Sequence, residues 1–331
     1  MDIHHAGGIS CTLRAVVEAA LWAPSPHNTQ PWSFAVSGDE ISLRADPDRK
    51  LRFADATGRQ MLISCGAALF NVRIALRALG YEPEVRRFPD PDRPLLLATI
   101  RPRRGAGADE QTLSLRREIE RRRTHRAGFT TARVAEHVTE TLVAQASTEG
   151  ARLTPVRSEV EARVLAALTS AAQDIQSQDR MFGLELIRWA RPPGSTRRDG
   201  VPAHGYPITR RRTYPQHFAQ RDYAWGHSWG SETEQRRSTA TGLVAVLTTE
   251  TDTRHDWLAA GQALQRTLLR ASACGLSAAF HTQALEMPEL REFIRNHLCS
   301  GDFPQMIMRL GFVRDGAGSV RRPCSEVLEE H

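Results

Sequence analysis

Residues 66–80 and 261–275 of this 331-residue chain share a skeleton at a constant offset of 195. Gly66-Ala67-Ala68-Leu69 answers Gly261-Gln262-Ala263-Leu264, Ala78 answers Ala273, and both stretches end on glycine, at Gly80 and Gly275. Five of the fifteen positions are identical. Each stretch reads as a helix with a small-residue face suited to close packing and a glycine stop, and each is followed by a proline-led apolar strand, at Pro94 and Pro304. Such a chain is either one large domain or two fused units, and with 40% hydrophobic and 25% charged residues it has the composition of a globular protein.

Several classes are disfavoured by what the sequence contains. No run approaches the ~20 apolar residues of a membrane span. The start, Met1-Asp2-Ile3-His4-His5, lacks a secretory pattern, and five cysteines form no C-x-x-C pair, which together predict a cytoplasmic protein. The net charge of +6 rests on arginine, since Lys50 is the only lysine. The clusters Arg121-Arg122-Arg123 and Arg210-Arg211-Arg212 are far apart and have few aromatics directly interleaved, so no nucleic-acid surface is expected, whereas small phosphates would suit them. No metal site is expected, because H-E-x-x-H and paired-cysteine patterns are missing; so are a phosphate-binding glycine loop and a G-x-S-x-G elbow. Asp90 and Asp92 sit in the rigid turn Pro89-Asp90-Pro91-Asp92-Arg93-Pro94 and shape the chain rather than transfer protons.

Hydrophobic periodicity predicts an amphipathic helix through Leu13, Val16, Val17, Ala20 and Leu21, capped at Ser10 and stopped near Pro24. A hairpin follows over 33–44, then a helix over 58–79 and strands at 85–88 and 95–100. Further helices are expected at 110–121, 134–147, 158–177, 180–190, 253–274 and 287–298, with strands at 242–248, 276–283 and 306–312. Residues 191–232, rich in proline, glycine and arginine, have no clear period and are too long for an ordinary connection, so they form either a functional flap or disorder.

Between the first helix and the hairpin lies Ala23-Pro24-Ser25-Pro26-His27-Asn28-Thr29-Gln30-Pro31-Trp32. A polar turn entering the core at Trp32 would account for any one of these residues. Four polar side chains held between prolines also offer preorganised donors and acceptors to a planar heteroaromatic ligand. The pattern A-P-S-x-x-N-x-Q-P-W resembles the signature of the nitroreductase-like FMN flavoproteins, and the histidine before the asparagine is similar to the single-chain Acg-type branch. Weaker matches follow in order along almost the whole chain: Gly58-Arg59-Gln60, Arg122-Arg123-Thr124-His125-Arg126, Asp199-Gly200-Val201-Pro202, Trp257 to Leu264, Pro304-Gln305 and Arg321-Arg322-Pro323.

In ordinary members of that family two subunits build two FMN sites, each taking a paired-arginine helix start and a late arginine from one subunit and the turn from the other. Here the first half has the turn but no paired arginine, while the counterpart in the second half, Ala144 to Gly150, lacks the asparagine, proline and tryptophan. The resemblance therefore implies an α+β nitroreductase-like fold, internally duplicated in one chain, with central mostly antiparallel sheets flanked by helices. Residues 1–108 would form one half and 109–331 the other, with a lid at 191–232 and a single FMN between them.

The implied cofactor residues are Pro24, Ser25, His27, Asn28 and Gln30 toward the flavin ring or ribityl chain, and Arg122, Arg123, Thr124 and Arg126 toward the phosphate. Arg321 or Arg322 would close the other side of the phosphate, and Thr282 and Gln283 would lie in a loop over the ring. The implied activity is NAD(P)H-dependent two-electron transfer with ping-pong kinetics to a small-molecule electron acceptor, a nitro compound or a quinone, or a related oxidation, with the chemistry at flavin N5 and no side chain assigned to catalysis. The alternatives are a protein that stores or sequesters FMN with little turnover, and a basic interaction protein without flavin.

Overall fold

The computed structural model describes residues 3–209, 211–231, 238–314 and 318–330, with side chains from residue 12 onward. Arg210 and Glu232, at the edges of features singled out above, lie outside them. The first helix, α1 (Ile3–Ala20), starts seven residues before Ser10, so Ser10 is not its cap. The helix runs through Gly7 and Gly8, a cost of about 1 kcal/mol each that a helix packed through Leu13, Val16 and Val17 can carry. The hairpin β1 (Trp32–Ser37) and β2 (Glu40–Ala45) closes on Gly38, whose φ of 59° suits the tight turn. Then come α2 (Arg59–Ala78), β3 (Tyr81–Arg87) and β4 (Leu96–Arg104).

The second series comprises α3 (Glu110–Glu118), α4 (Glu136–Ser147), β5 (Arg152–Pro155), α5 (Glu159–Gln178) and α6 (Arg180–Trp189). A two-stranded piece, β6 (Ala190–Arg191) with β7 (Val201–Pro202), opens the long irregular segment. The chain resumes regular structure with β8 (Leu243–Thr249), α7 (Arg254–Ala273), β9 (Leu276–Phe280), α8 (Pro288–Leu298), β10 (Phe303–Phe312) and β11 (Leu328–Glu330). β9 stops earlier than its apolar run suggests, because residues 283–286 turn into a short 3-10 helix.

The fold is α+β. One sheet has the order β11-β1-β2-β4-β3, antiparallel except that β11 runs parallel to β1; the other is the antiparallel β5-β8-β10-β9. The C-terminal strand thus returns to the sheet made by the first hundred residues, pairing Leu328 with Phe34. Helices α2 and α7 lie against each other between the two apolar cores. α2 anchors the core of the first sheet but sends Ile63 into the second; α7 fills the second but sends Leu258 and Leu269 into the first.

By length and composition α2 could cross a bilayer, contrary to the expectation that no segment could, but 83% of that window is buried inside the protein. It is apolar over most of its surface because most of that surface is enclosed.

Candidate active site

A cleft of about 270 Å³ opens where the turn after α1, the facing sides of α2 and α7, the ends of β9 and β10, and the segment 203–227 converge. Pro24, Ser25, Pro26 and His27 form one wall, Gln60, Ile63, Ser64 and Leu264 the helical floor, and Thr124, His125 and Arg126 one end. Phe280, Met306 and Arg309 come from the second sheet, His281 and Thr282 from the residues just past β9, and Tyr206, Ile208, Arg221, Tyr223 and His227 from the long segment. That segment therefore supplies one wall of the cleft.

The turn is built under backbone strain. His27, Asn28 and Gln30 have φ of 50°, 57° and 52°, left-handed values that cost a non-glycine residue on the order of 1 kcal/mol each. Compensating bonds hold them. The Asn28 Nδ2 donates to the carbonyls of Gly200 (2.9 Å) and Val320 (3.1 Å), and its Oδ1 accepts from Arg321 Nη1 (3.1 Å). The Gln30 Nε2 donates to the Arg198 carbonyl (3.0 Å), while its Oε1 accepts from the Arg322 N–H (2.9 Å). Asn28 and Gln30 thus lace the turn to the base of the flap and to the C-terminal segment. Their side chains do not line the cleft, although the sequence pattern assigned them to a ligand.

Behind the end marked by Pro24 and Thr124 three arginines, Arg122, Arg123 and Arg321, gather around Trp22. Arg122 Nη2 reaches the Trp22 carbonyl at 3.4 Å, and Arg321 Nη2 reaches the carbonyls of Trp22 (3.2 Å) and Ala23 (3.3 Å). The guanidiniums of Arg123 and Arg321 lie 5.0 and 5.5 Å from the Trp22 ring. Arg122 Nε and Nη1 and Arg321 Nε are buried with no hydrogen-bond partner among the described residues. Burial, aided by the charges of Arg123 and Arg126, lowers the Arg122 guanidinium to about 10. Arg321 is pushed well below its ordinary range by burial and then by Arg122, Arg123 and Arg126. Buried cations that repel one another and keep unsatisfied donors are costly in isolation. An anion would satisfy both needs at once.

Arg122, Arg123 and Thr124 are not at a helix start, contrary to the expectation. α3 ends at Glu118, whose carbonyl accepts from the N–H groups of Arg121 and Arg122, and Thr124 continues as an extended bridge to Ala278. The arginines suit the negative end of the helix dipole, so any anion here is held by side chains without help from a helix N-terminus. Arg126 lines the cleft, donates to the Gly205 carbonyl (3.2 Å) and lies over the Tyr223 ring. Arg322 pairs with Glu326 and lies away from the cleft lining. Thr282 lines the cleft, whereas Gln283 is turned to the Ala219 carbonyl at 3.1 Å.

Electrostatics within the cleft favour neutral histidines. Burial, reinforced by Arg221, holds His27 down at about 3, and its Nδ1 lies 2.9 Å from the Tyr223 hydroxyl. His125 is lowered to about 4, chiefly by burial, and donates from Nε2 to the Gly128 carbonyl, a structural bond. His281 accepts from Arg309 Nε at 2.8 Å and donates from Nδ1 to the Ala219 carbonyl. Arg309, fully buried inside β10, is a site-lining residue the sequence reading missed; a charge inside the apolar run Met306–Phe312 is the signal that could have found it. Also missed were Arg221 and Glu286, which pair at 2.5 Å with side chains 8% and 2% exposed. Gln60, Gln176 and Thr282 complete the carboxylate's bonds at 3.0, 3.0 and 2.8 Å.

No family model matches the chain. It is similar to the "Putative NAD(P)H nitroreductase Rv3131" of Mycobacterium tuberculosis, with 33% identity over 323 residues that span 96% of this chain and 91% of that protein. It is also similar to the "Putative NAD(P)H nitroreductase acg" of the same organism, with 28% identity over 331 residues, 96% of this chain and 95% of that one. Among solved structures, the FMN-dependent nitroreductase NfnB from Mycobacterium smegmatis in complex with NADPH aligns with 66% of this chain and 97% of its own at 18% identity and a TM-score of 0.40.

Proposed function

The chain belongs to the nitroreductase-like family, and on that premise we propose that it is an FMN-dependent NAD(P)H oxidoreductase with one cofactor site in the cleft between its two sheets. The observation that carries this reading is the set of buried guanidinium atoms without partners beside Trp22, next to a cleft walled by the Ala23–Trp32 turn. A flavin phosphate, carrying about −1.5 to −2 charges at pH 7, fits that set. Arg122 and Arg321 would hold it, with Arg123 and Arg126 adding charge; Pro24, Ser25, His27, Thr124 and Thr282 would flank the ring system.

FMN would supply two-electron hydride chemistry between NAD(P)H and a small acceptor, a nitro compound or a quinone. The chain's own residues bind, orient and exclude water. Asn28 orients Arg321 by a direct hydrogen bond, and Gln30 fixes Arg322 at its backbone. The flap, latched through Arg221 to Glu286, covers the cleft and restricts solvent.

The same reading takes residues 1–108 and 109–331 as two diverged halves of one duplicated unit, the first supplying the turn and the second the arginines and the lid at 191–232. The reciprocal packing of α2 and α7 supports it. A second reading, storage of FMN with little turnover, is favoured by the buried latch on the flap. Absorbance of the purified protein and anaerobic mixing with NADH and NADPH separate the two. A yellow protein bleached rapidly by either donor is the expected result; slow bleaching of bound FMN supports storage, and a colourless protein that takes up no FMN ends both.

A further inference from the structure

Helix α6 is apolar on two opposite faces, and among the described residues only one of them has a partner. Phe182 and Trp189 pack inward with Leu51 and Ala54, and Leu186 packs with Val201 and Tyr223. The outward arc carries Met181, Leu184 and Ile187, which are 49%, 50% and 39% exposed. A surface helix ordinarily presents polar side chains there. The arc is widened from both sides. Glu185, one turn from Met181 on the helix, accepts hydrogen bonds from the backbone N–H groups of Phe53 (3.1 Å) and Ala54 (3.0 Å), which sets Phe53, 44% exposed, along one flank. Gly183, one turn from Ile187, lies under the Trp225 ring: a Cβ there would be 2.3 Å from Trp225 Cη2, so Trp225, 40% exposed, borders the other flank. Five of the twelve large apolar side chains exposed among the described residues thus gather on one surface built from three chain segments, whereas such side chains are ordinarily scattered singly.

Charge indicates what covers this surface. Arg180 and Arg188 lie within the same arc of α6 and Arg52 adjoins Phe53; all three are exposed, and none forms an ion pair with a described carboxylate. The two carboxylates of residues 179–190 are already engaged. Asp179 caps α6 by accepting from the N–H groups of Met181 and Phe182, and Glu185 holds the 52–54 backbone. We propose that this surface docks on an anionic phospholipid bilayer. Met181, Leu184 and Ile187 enter the acyl boundary, Phe53 and Trp225 sit at headgroup level, and the guanidiniums meet lipid phosphates. A second copy of the chain is a poor occupant, because a two-fold contact sets these arginines against their own equivalents with no open carboxylate between them. None of these side chains lines the cleft, so the docking does not depend on what the cleft binds.

The full-length protein is sedimented with vesicles of phosphatidylcholine alone and with vesicles in which roughly one third of the lipid is phosphatidylglycerol. It binds the anionic vesicles and not the neutral ones. Met181→Ser combined with Leu184→Ser removes apolar surface at constant charge and weakens binding at least about tenfold. Arg180→Gln combined with Arg188→Gln weakens it about thirtyfold. Phe53→Ser, on a separate segment, weakens it in the same direction, and the urea midpoint of each variant, measured alongside, matches the native one. Absence of binding to the anionic vesicles overturns the proposal. So does binding that the serine variants leave unchanged, which would belong to the chain's overall charge of +6. Dimerisation of lipid-free protein that rises with concentration in the ultracentrifuge and is lost in the double serine variant would give the surface to a second copy, and overturns it as well.

Discussion

Gly66 of α2 and Gly261 of α7 meet at the crossing of the two helices, and neither position has room for a side chain. A Cβ on Gly66 would lie 2.2 Å from the Leu258 carbonyl oxygen; one on Gly261 would lie 2.0 Å from that of Ile63. The contact is reciprocal, since Ile63 and Leu258 each precede their glycine by one helical turn. Below the same crossing, Gln265 Nε2 donates to Asn71 Oδ1 at 2.8 Å. Because the obstacles are backbone atoms, relief requires the helices to separate. Gly66→Ala and Gly261→Ala should each destabilise the protein by about 1–3 kcal/mol, measured by urea unfolding, and the double variant should cost less than the sum once the helices have parted. Ile63 and Leu264 line the cleft, so ligand affinity should fall as well.

Arg122 gains little from the protein around it. Among the described residues its guanidinium makes one hydrogen bond, long at 3.4 Å, and burial disfavours its charge. Arg122→Gln is therefore expected to leave the unfolding temperature of flavin-free protein in phosphate-free buffer unchanged or slightly raised. FMN affinity should drop about tenfold to a hundredfold, the loss of a charge-assisted bond, whereas riboflavin, lacking the phosphate, should bind both proteins alike. Flavin fluorescence titrations check both arms; an equal loss for riboflavin would detach Arg122 from any phosphate.

Much of this arrangement is legible in the sequence. The helices α2 and α7 announce themselves by length, small-residue spacing and glycine stops, and the decapeptide turn by its prolines and by Trp32, which is fully buried. The site was legible as residue types but less so as roles. Asn28 and Gln30 look like ligand-binding side chains, and only the fold reveals that they tie the turn to Gly200, Arg198 and the C-terminal arginines. β11 pairs across nearly three hundred residues, a separation no local pattern encodes. The flap has no period because it has little regular structure; its order comes from individual contacts, such as those of Arg221 and Tyr223, made with elements distant in sequence.

The latch on that flap is testable on its own. Burial opposes the charge of Glu286, yet Arg221 and the surrounding donors hold its carboxyl below the ordinary range, so the pair is ionised. Glu286→Gln strands the Arg221 guanidinium in a buried site, a cost of about 3–5 kcal/mol that falls on the flap. Limited trypsin digestion should cut at Arg197, Arg198, Arg211 or Arg212 at least about tenfold faster, because cleavage follows the population of the open flap. The midpoint of global unfolding should move little, since the apolar cores of the two sheets do not include the latch. Uniform acceleration of cleavage along the whole chain would mean that the pair stabilises the entire fold.

Acid should loosen the same region through His27. Its folded pKa, about 3, lies below its ordinary value of 6.5, so between those limits the unfolded chain binds more protons than the folded one. Stability from this group is therefore fully present above pH 6.5 and declines as pH falls toward 3. Asp55 acts in the opposite sense over part of that range: burial raises its carboxyl to about 6, so the folded state is the one that binds more protons between its ordinary value of 3.8 and that point. The two can be separated by difference. Asn tolerates the left-handed backbone that His27 adopts, so His27→Asn removes the titration without adding strain at φ 50°. Unfolding free energies measured from pH 7.5 to 4.5 should show the native protein losing a few kcal/mol relative to the variant, the gap closing steadily with acidification. Protonation of His27 also opposes any hydrogen bond donated to its Nδ1 by Tyr223, so the flap should become more protease-sensitive over the same interval in the native protein and not in His27→Asn. Parallel pH curves for the two proteins would show that His27 titrates alike in the folded and unfolded chains and is not held neutral by the closed flap.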